Sequence, residues 1–92
     1  MDVTGLLVKG ARMPQPLSPR HRAFGDALRA LRKARGLSQE AFGDLTGLSA
    51  NYIGDTERGE RNVSVRALWQ FADGLGVPAS ELLREAEKKG NR

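Results

Sequence analysis

Five times from Ser18 onward a serine opens a stretch of helical apolar spacing and a glycine closes it, a punctuation that limits the chain to short, capped helices. The pairs are Ser18 and Gly36, Ser38 and Gly47, Ser49 and Gly59, Ser64 and Gly76, and Ser80 and Gly90. A serine oxygen accepts from an unpaired N–H in the first turn, and glycine takes the left-handed conformation that ends a helix without a Cβ clash. Phe24, Ala27, Leu28, Leu31 and Ala34 share one face of the first segment, and Phe42 lies beside Leu45 in the second. Ile53 stands a turn beyond Ser49 in the third. Val65, Leu68, Ala72 and Leu75 line up in the fourth with Phe71 adjoining, and Leu82, Leu83 and Ala86 give the last a narrow stripe. Alternation suited to a strand is confined to Val3 to Val8. The pattern predicts an all-α domain of five helices over residues 18–92.

A chain of 92 residues with 5% aromatics has a small core, and pairing with a second copy would add to it. There is no cysteine, and His21 is the single histidine, so disulfides, thiolate or multi-histidine zinc sites and serine-type triads are out of reach. Neither metal nor cofactor is expected. No apolar run is long enough for a membrane span or a signal peptide, which points to a soluble, cytoplasmic protein without a membrane partner. A net charge of +4 and a pI near 10.1 favour an anionic partner, nucleic acid first. The basic excess lies in residues 20–36, whereas residues 37–59 are net acidic.

Residues 1–17 are interrupted by Gly5, Gly10, Pro14 and Pro16 and read as a flexible N-terminal arm. Besides a frayed end, two roles stay open for it: Lys9 and Arg12 reaching a neighbouring groove, or Leu6 to Val8 packing on a second subunit.

From Gly36 to Gly59 the chain reads GLSQEAFGDLTGLSANYIGDTERG, two short helices about a tight Gly47-Leu48-Ser49 connection. Gly43 supplies a small residue where the helices cross, Gly47 opens the turn, and Leu48 and Ile53 turn inward. This is a helix-turn-helix pattern. With the LRALRKARGLSQEAF, YIGDTERGERNVS and LWQFADGLGVP blocks, the stretch from Ala23 to Leu83 resembles the Cro/C1-type, or xenobiotic-response-element-like, helix-turn-helix family of phage repressors and bacterial regulators. The ERGERN-x-S run is similar to that of restriction-modification controller proteins and also of general repressors.

The resemblance implies a lambda-repressor-like fold and a dimeric transcriptional regulator, a repressor before an activator, bound to double-stranded DNA at a palindromic operator. It implies that the helix after Ser49 enters the major groove, making Ser49, Ala50, Asn51, Tyr52 and Asp55 candidate base readers. Asn51 can pair with adenine N6 and N7, Ala50 can meet a thymine methyl, and Asp55 can accept from cytosine N4 or else repel phosphate. Tyr52 can stack on the DNA backbone or pack under its helix. Gln39, Arg58, Arg61 and Asn62 are the implied phosphate ligands. Arg20, Arg22, Lys33 and Arg35 read equally as a solvated basic face. Glu57 matches a family glutamate paired inside the protein, and the spacing before Gly36 assigns its partner as Arg32. Trp69, Leu82, Leu83 and Ala86 are the candidate dimer contacts, with plain core filling equally open for each of them and packing against the arm open for Trp69. Thr56 and Gly43 depart from the family's usual larger residues, and Gly74 sits within the fourth helix, so a less stable unit is expected.

A protein-interaction module, such as an antitoxin or anti-regulator, is the alternative use of such a bundle. An enzyme lacks its parts here: no paired carboxylates in a plausible pocket, no phosphate-cradling glycine loop, no nucleophile beside a base and no small-molecule substrate in evidence.

Overall fold

Four of the five serines cap helices. In the computed structural model, which describes residues 15–90, the helices are α1 (Pro19–Ala34), α2 (Gln39–Thr46), α3 (Ala50–Glu57), α4 (Val65–Leu75) and α5 (Ala79–Gly90), with no strand among the described residues. Ser18, Ser38, Ser49 and Ser64 each accept from the backbone N–H three residues on, satisfying a donor the helix itself leaves unpaired. The fifth differs. Ser80 lies inside α5, whose first turn is tied instead to the Pro78 carbonyl, which accepts from Glu81 and Leu82 N–H. Gly90 is likewise helical, whereas Gly36, Gly47, Gly59 and Gly76 hold positive φ. The arm residues singled out by sequence, Val3 to Val8, Lys9 and Arg12, lie outside the described residues.

Phe71 of α4 stands at the centre of the core. Its ring stacks on Phe42 at 5.9 Å and on Tyr52 at 6.1 Å, with Phe24 tilted against it at 6.4 Å. Leu28, Ile53, Ala67, Leu75 and Leu82 complete the buried cluster, so every helix gives at least one residue to a single core. Helix α1 runs along α5 on one side and meets α3 on the other, while α2 bridges α3 and α4. The apolar stripes are read one residue too wide at three places, because Ala34, Leu45 and Val65 are exposed.

Two glycines expected to weaken the unit are instead required by close packing. A Cβ on Gly43 would stand 2.6 Å from the Leu48 carbonyl oxygen, and one on Gly74 2.6 Å from the Thr46 methyl. Thr56, in place of a larger aliphatic residue, is fully buried and donates its hydroxyl to the Tyr52 carbonyl at 2.8 Å, so no polar group is stranded.

Candidate nucleic-acid interface

Helices α2 and α3 are held at a fixed angle by one turn and one buried ion pair. Gly47, at φ 79°, donates its N–H to the Gly43 carbonyl, and the Thr46 hydroxyl oxygen accepts from Leu48 N–H, which closes the turn. Arg32 of α1 reaches the end of α3, where its Nε donates to Glu57 Oε2 at 2.6 Å and its Nη2 to Glu57 Oε1 at 3.0 Å. The third nitrogen, Nη1, donates to the Leu37 carbonyl, and Gln39 Nε2 adds a further donor to Glu57 Oε1. The hydrogen bond that Arg32 donates to Glu57 raises the guanidinium pKa above its ordinary value, outweighing the opposite effect of burial. Glu57 therefore faces the protein interior. The acidic balance of residues 37–59 does not translate into acid presented by this carboxylate.

Helix α3 buries Ile53, Gly54, Thr56 and Glu57 and turns its other side outward. Asn51, Asp55 and Arg58, spaced i, i+4 and i+7, line that side, Asn51 and Arg58 exposed and Asp55 half-buried. Asn51 is exposed and its amide makes no hydrogen bond among the described residues, leaving both donor and acceptor free. Ala50 is half-buried beside it. Ser49 is exposed, and its hydroxyl oxygen accepts from Tyr52 N–H at 3.0 Å, so only its proton remains to offer.

Two candidate base readers are placed otherwise than expected. The ring of Tyr52 is stacked on Phe71 on one face and covered by the Arg61 guanidinium, 4.7 Å from its centroid, on the other. It is a packing residue, the second of its two open readings, because an aromatic face pays more when it completes the core than when left in water. Asp55 is not a free acceptor. Its carboxylate receives Arg58 Nη2 at 2.6 Å and Arg61 Nη2 at 2.9 Å, while Arg58 Nε also reaches Glu60 at 3.3 Å.

The candidate phosphate ligands are likewise partly engaged. Gln39 is half-buried against Glu57, and Arg58 and Arg61 are exposed but paired. Asn62 Oδ1 lies 2.6 Å from His21 Nε2, and His21 Nδ1 lies 2.6 Å from Ser18 Oγ. The ring thus ties the start of α1 to the loop after α3. A contact between positions 21 and 62 carries no local signal, so sequence reasoning does not place His21 there. Of the basic residues near α1, Arg35 closes α4 by donating to the Leu75 carbonyl at 2.7 Å and Arg22 pairs with Asp26, whereas Arg20 and Lys33 face solvent.

The candidate dimer contacts divide in two. Trp69 and Leu83 are 57% and 44% exposed, but Leu82 is 0% exposed in the core and Ala86 is buried against it. Leu82 and Ala86 are therefore removed from the outward contacts: the inner edge of the α5 stripe is consumed by packing within the chain. Val65 joins Leu83 at the rim of an open groove of about 630 Å³ floored by Phe24, Leu68 and Ala86. Its spacing matches the core residues of its own helix, so sequence reasoning does not set it apart from them.

Residues 23–85 match the model of a family described as a helix-turn-helix domain. The chain is 42% identical over 67 residues to the control protein C.MunI of a Mycoplasma species, a match spanning 72% of this chain and 90% of that one. Among solved structures it is similar to the restriction-modification controller protein C.AhdI of Aeromonas hydrophila, with 43% identity, a TM-score of 0.70 and coverage of 71% and 98%. It is also similar to the clp gene regulator ClgR of Corynebacterium glutamicum, with 29% identity, a TM-score of 0.75 and coverage of 85% and 81%.

Proposed function

Since the chain belongs to the helix-turn-helix family of transcriptional regulators, we propose that it occupies a short palindromic operator as a homodimer, each protomer laying the first turn of α3 in the major groove. The observation that carries this reading is the open start of α3. There Asn51 offers an unpaired amide on a helix whose other end is bolted to α1 through Arg32 and Glu57. A rigid rod with a free amide at its leading edge suits bidentate contact with adenine, and Ser49 and Ala50 flank it for a hydroxyl and a methyl contact.

Asp55 and Tyr52 leave the set of free base readers, and Gln39, packed on Glu57, together with Arg58, Arg61 and Asn62 after α3, serve as phosphate ligands. Trp69, Val65 and Leu83 form the dimer face, which would set two reading helices one DNA turn apart, about 34 Å. Residues 1–17 act as an arm and residues 18–92 as the DNA-binding domain, with Leu17 N–H already bonded to the Gly59 carbonyl at 2.8 Å. No described helix is long and apolar enough to cross a membrane, and the working compartment is the cytoplasm. No catalytic role is assigned. The likeness to C.MunI and C.AhdI favours a narrower form of the same reading, a controller of restriction-modification genes.

Fluorescence anisotropy on a duplex from the gene's own upstream region, titrated at rising salt, tests the reading. With six to ten phosphate contacts, affinity is expected to fall by about 10³ to 10⁵ between about 50 and 200 mM salt. Affinity that ignores salt, or fails to exceed that for unrelated duplex, would favour a protein-interaction module instead.

A further inference from the structure

The arginines of the candidate interface are not free in the resting protein, and their pairing follows a pattern. Asp55 takes one arginine on each carboxylate oxygen, Arg58 at 2.6 Å and Arg61 at 2.9 Å, and Glu60 takes a second contact from Arg58. Tyr52, one turn before Asp55, supports the Arg61 guanidinium from below at 4.7 Å. Two guanidiniums beside the reading helix are thus balanced by two carboxylates. The loop after α3 carries little net positive charge toward a passing duplex.

We propose that Asp55 is a positioning residue that governs specificity, an acidic keeper that holds Arg58 and Arg61 against α3 until a cognate site offers phosphates placed well enough to take them over. This rests on the DNA-binding role proposed above. On unrelated duplex the phosphates compete with a carboxylate already seated on both arginines, so each contact gains little. At a cognate site the base contacts of Asn51 fix the register, and the exchange from carboxylate to phosphate goes forward. Asp55 and Arg58 are also exposed enough to part without opening the core, since their side chains retain 31% and 57% of their accessible surface. Discrimination is thereby gained by suppressing the wrong complex, not by adding a contact to the right one.

The test is Asp55→Asn, an isosteric change at a half-exposed position, with far-UV circular dichroism to verify folding and Asp55→Ser as a second variant. Both are titrated with labelled operator and with labelled duplex of unrelated sequence over a salt series. The expected result is affinity for unrelated duplex about tenfold higher at low salt, with a salt slope steeper by about one to two as the arginines engage phosphate. Asp55→Glu, which retains the charge, should stay near the wild type. In a background carrying Arg58→Ala and Arg61→Ala, Asp55→Asn should no longer raise that affinity, because the effect runs through the arginines. Three outcomes would overturn the keeper: unchanged affinity and slope on unrelated duplex, a full rise persisting without the two arginines, or loss confined to operator binding, which would make Asp55 a base reader. A wild type that prefers no duplex at all would instead remove the DNA-binding reading on which the keeper depends.

Discussion

Glu57→Ala is expected to lower folding stability by about 3 to 5 kcal/mol, measured by urea denaturation, and Arg32→Ala by a similar amount. The two side chains retain only 8% and 4% of their exposure, and three donors converge on the Glu57 carboxylate. Removing either partner leaves the other's charge buried without its counterion, which costs far more than the loss of a surface pair. For a domain of this size the change corresponds to a fall in Tm of about 20 °C. The double variant should lose less than the sum of the singles, because the second change also removes the stranded charge. The direction of the Arg32 shift fixes the pH response of its side of the pair. A cation whose folded pKa is raised stabilises fully below its unfolded value and loses that contribution only as pH rises through the folded value. For a guanidinium that range lies far above neutrality, so Arg32 remains charged wherever the domain is useful.

Gly25→Ala is expected to cost about 3 kcal/mol, the upper end of overpacking, again read by denaturation. A Cβ at this position in α1 would lie 2.4 Å from the carbonyl oxygens of both Thr56 and Glu57. These are backbone atoms of α3, so no side chain can swing aside, and α1 and α3 must separate. That movement would also lengthen the Arg32 to Glu57 contacts at the same crossing. A variant as stable as the wild type would show that the α1 and α3 crossing is looser than the described geometry.

Local chemistry was the legible part. Serine caps at positions 18, 38, 49 and 64 depend on hydrogen bonds spanning three residues, and they are visible in the order of residues along the chain. At Ser80 the same sign misled, because the carbonyl of Pro78 had already opened α5 one residue earlier. Burial was legible to within a face. The i, i+3, i+4 spacing placed Leu28, Ile53, Leu68 and Leu75 toward the core, but it has no means of telling Leu82, which is consumed there, from Leu83, which is left outside. Which edge of a stripe is covered depends on the neighbouring helix.

The interface shows the same division. The open amide of Asn51 follows from its place on α3, and the pairing of Glu57 with Arg32 follows from the family resemblance. The bond between Asp55 and Arg58 spans i to i+3 and is readable in principle, although the family resemblance directs that carboxylate to cytosine or against phosphate instead. Contacts set by tertiary geometry were out of reach: His21 against Asn62, the Tyr52 ring between Phe71 and Arg61, and the close approach at Gly25.

Selection of binding sites from a pool of random duplexes, run in parallel with the wild type and Asn51→Ala, tests most directly whether α3 reads bases in the major groove. The wild type should enrich an inverted repeat with half-sites about 10 base pairs apart, and Asn51→Ala should lose preference at one position in each half-site while keeping the rest. Failure of the wild type to enrich any sequence, or an identical consensus from Asn51→Ala, would contradict the account.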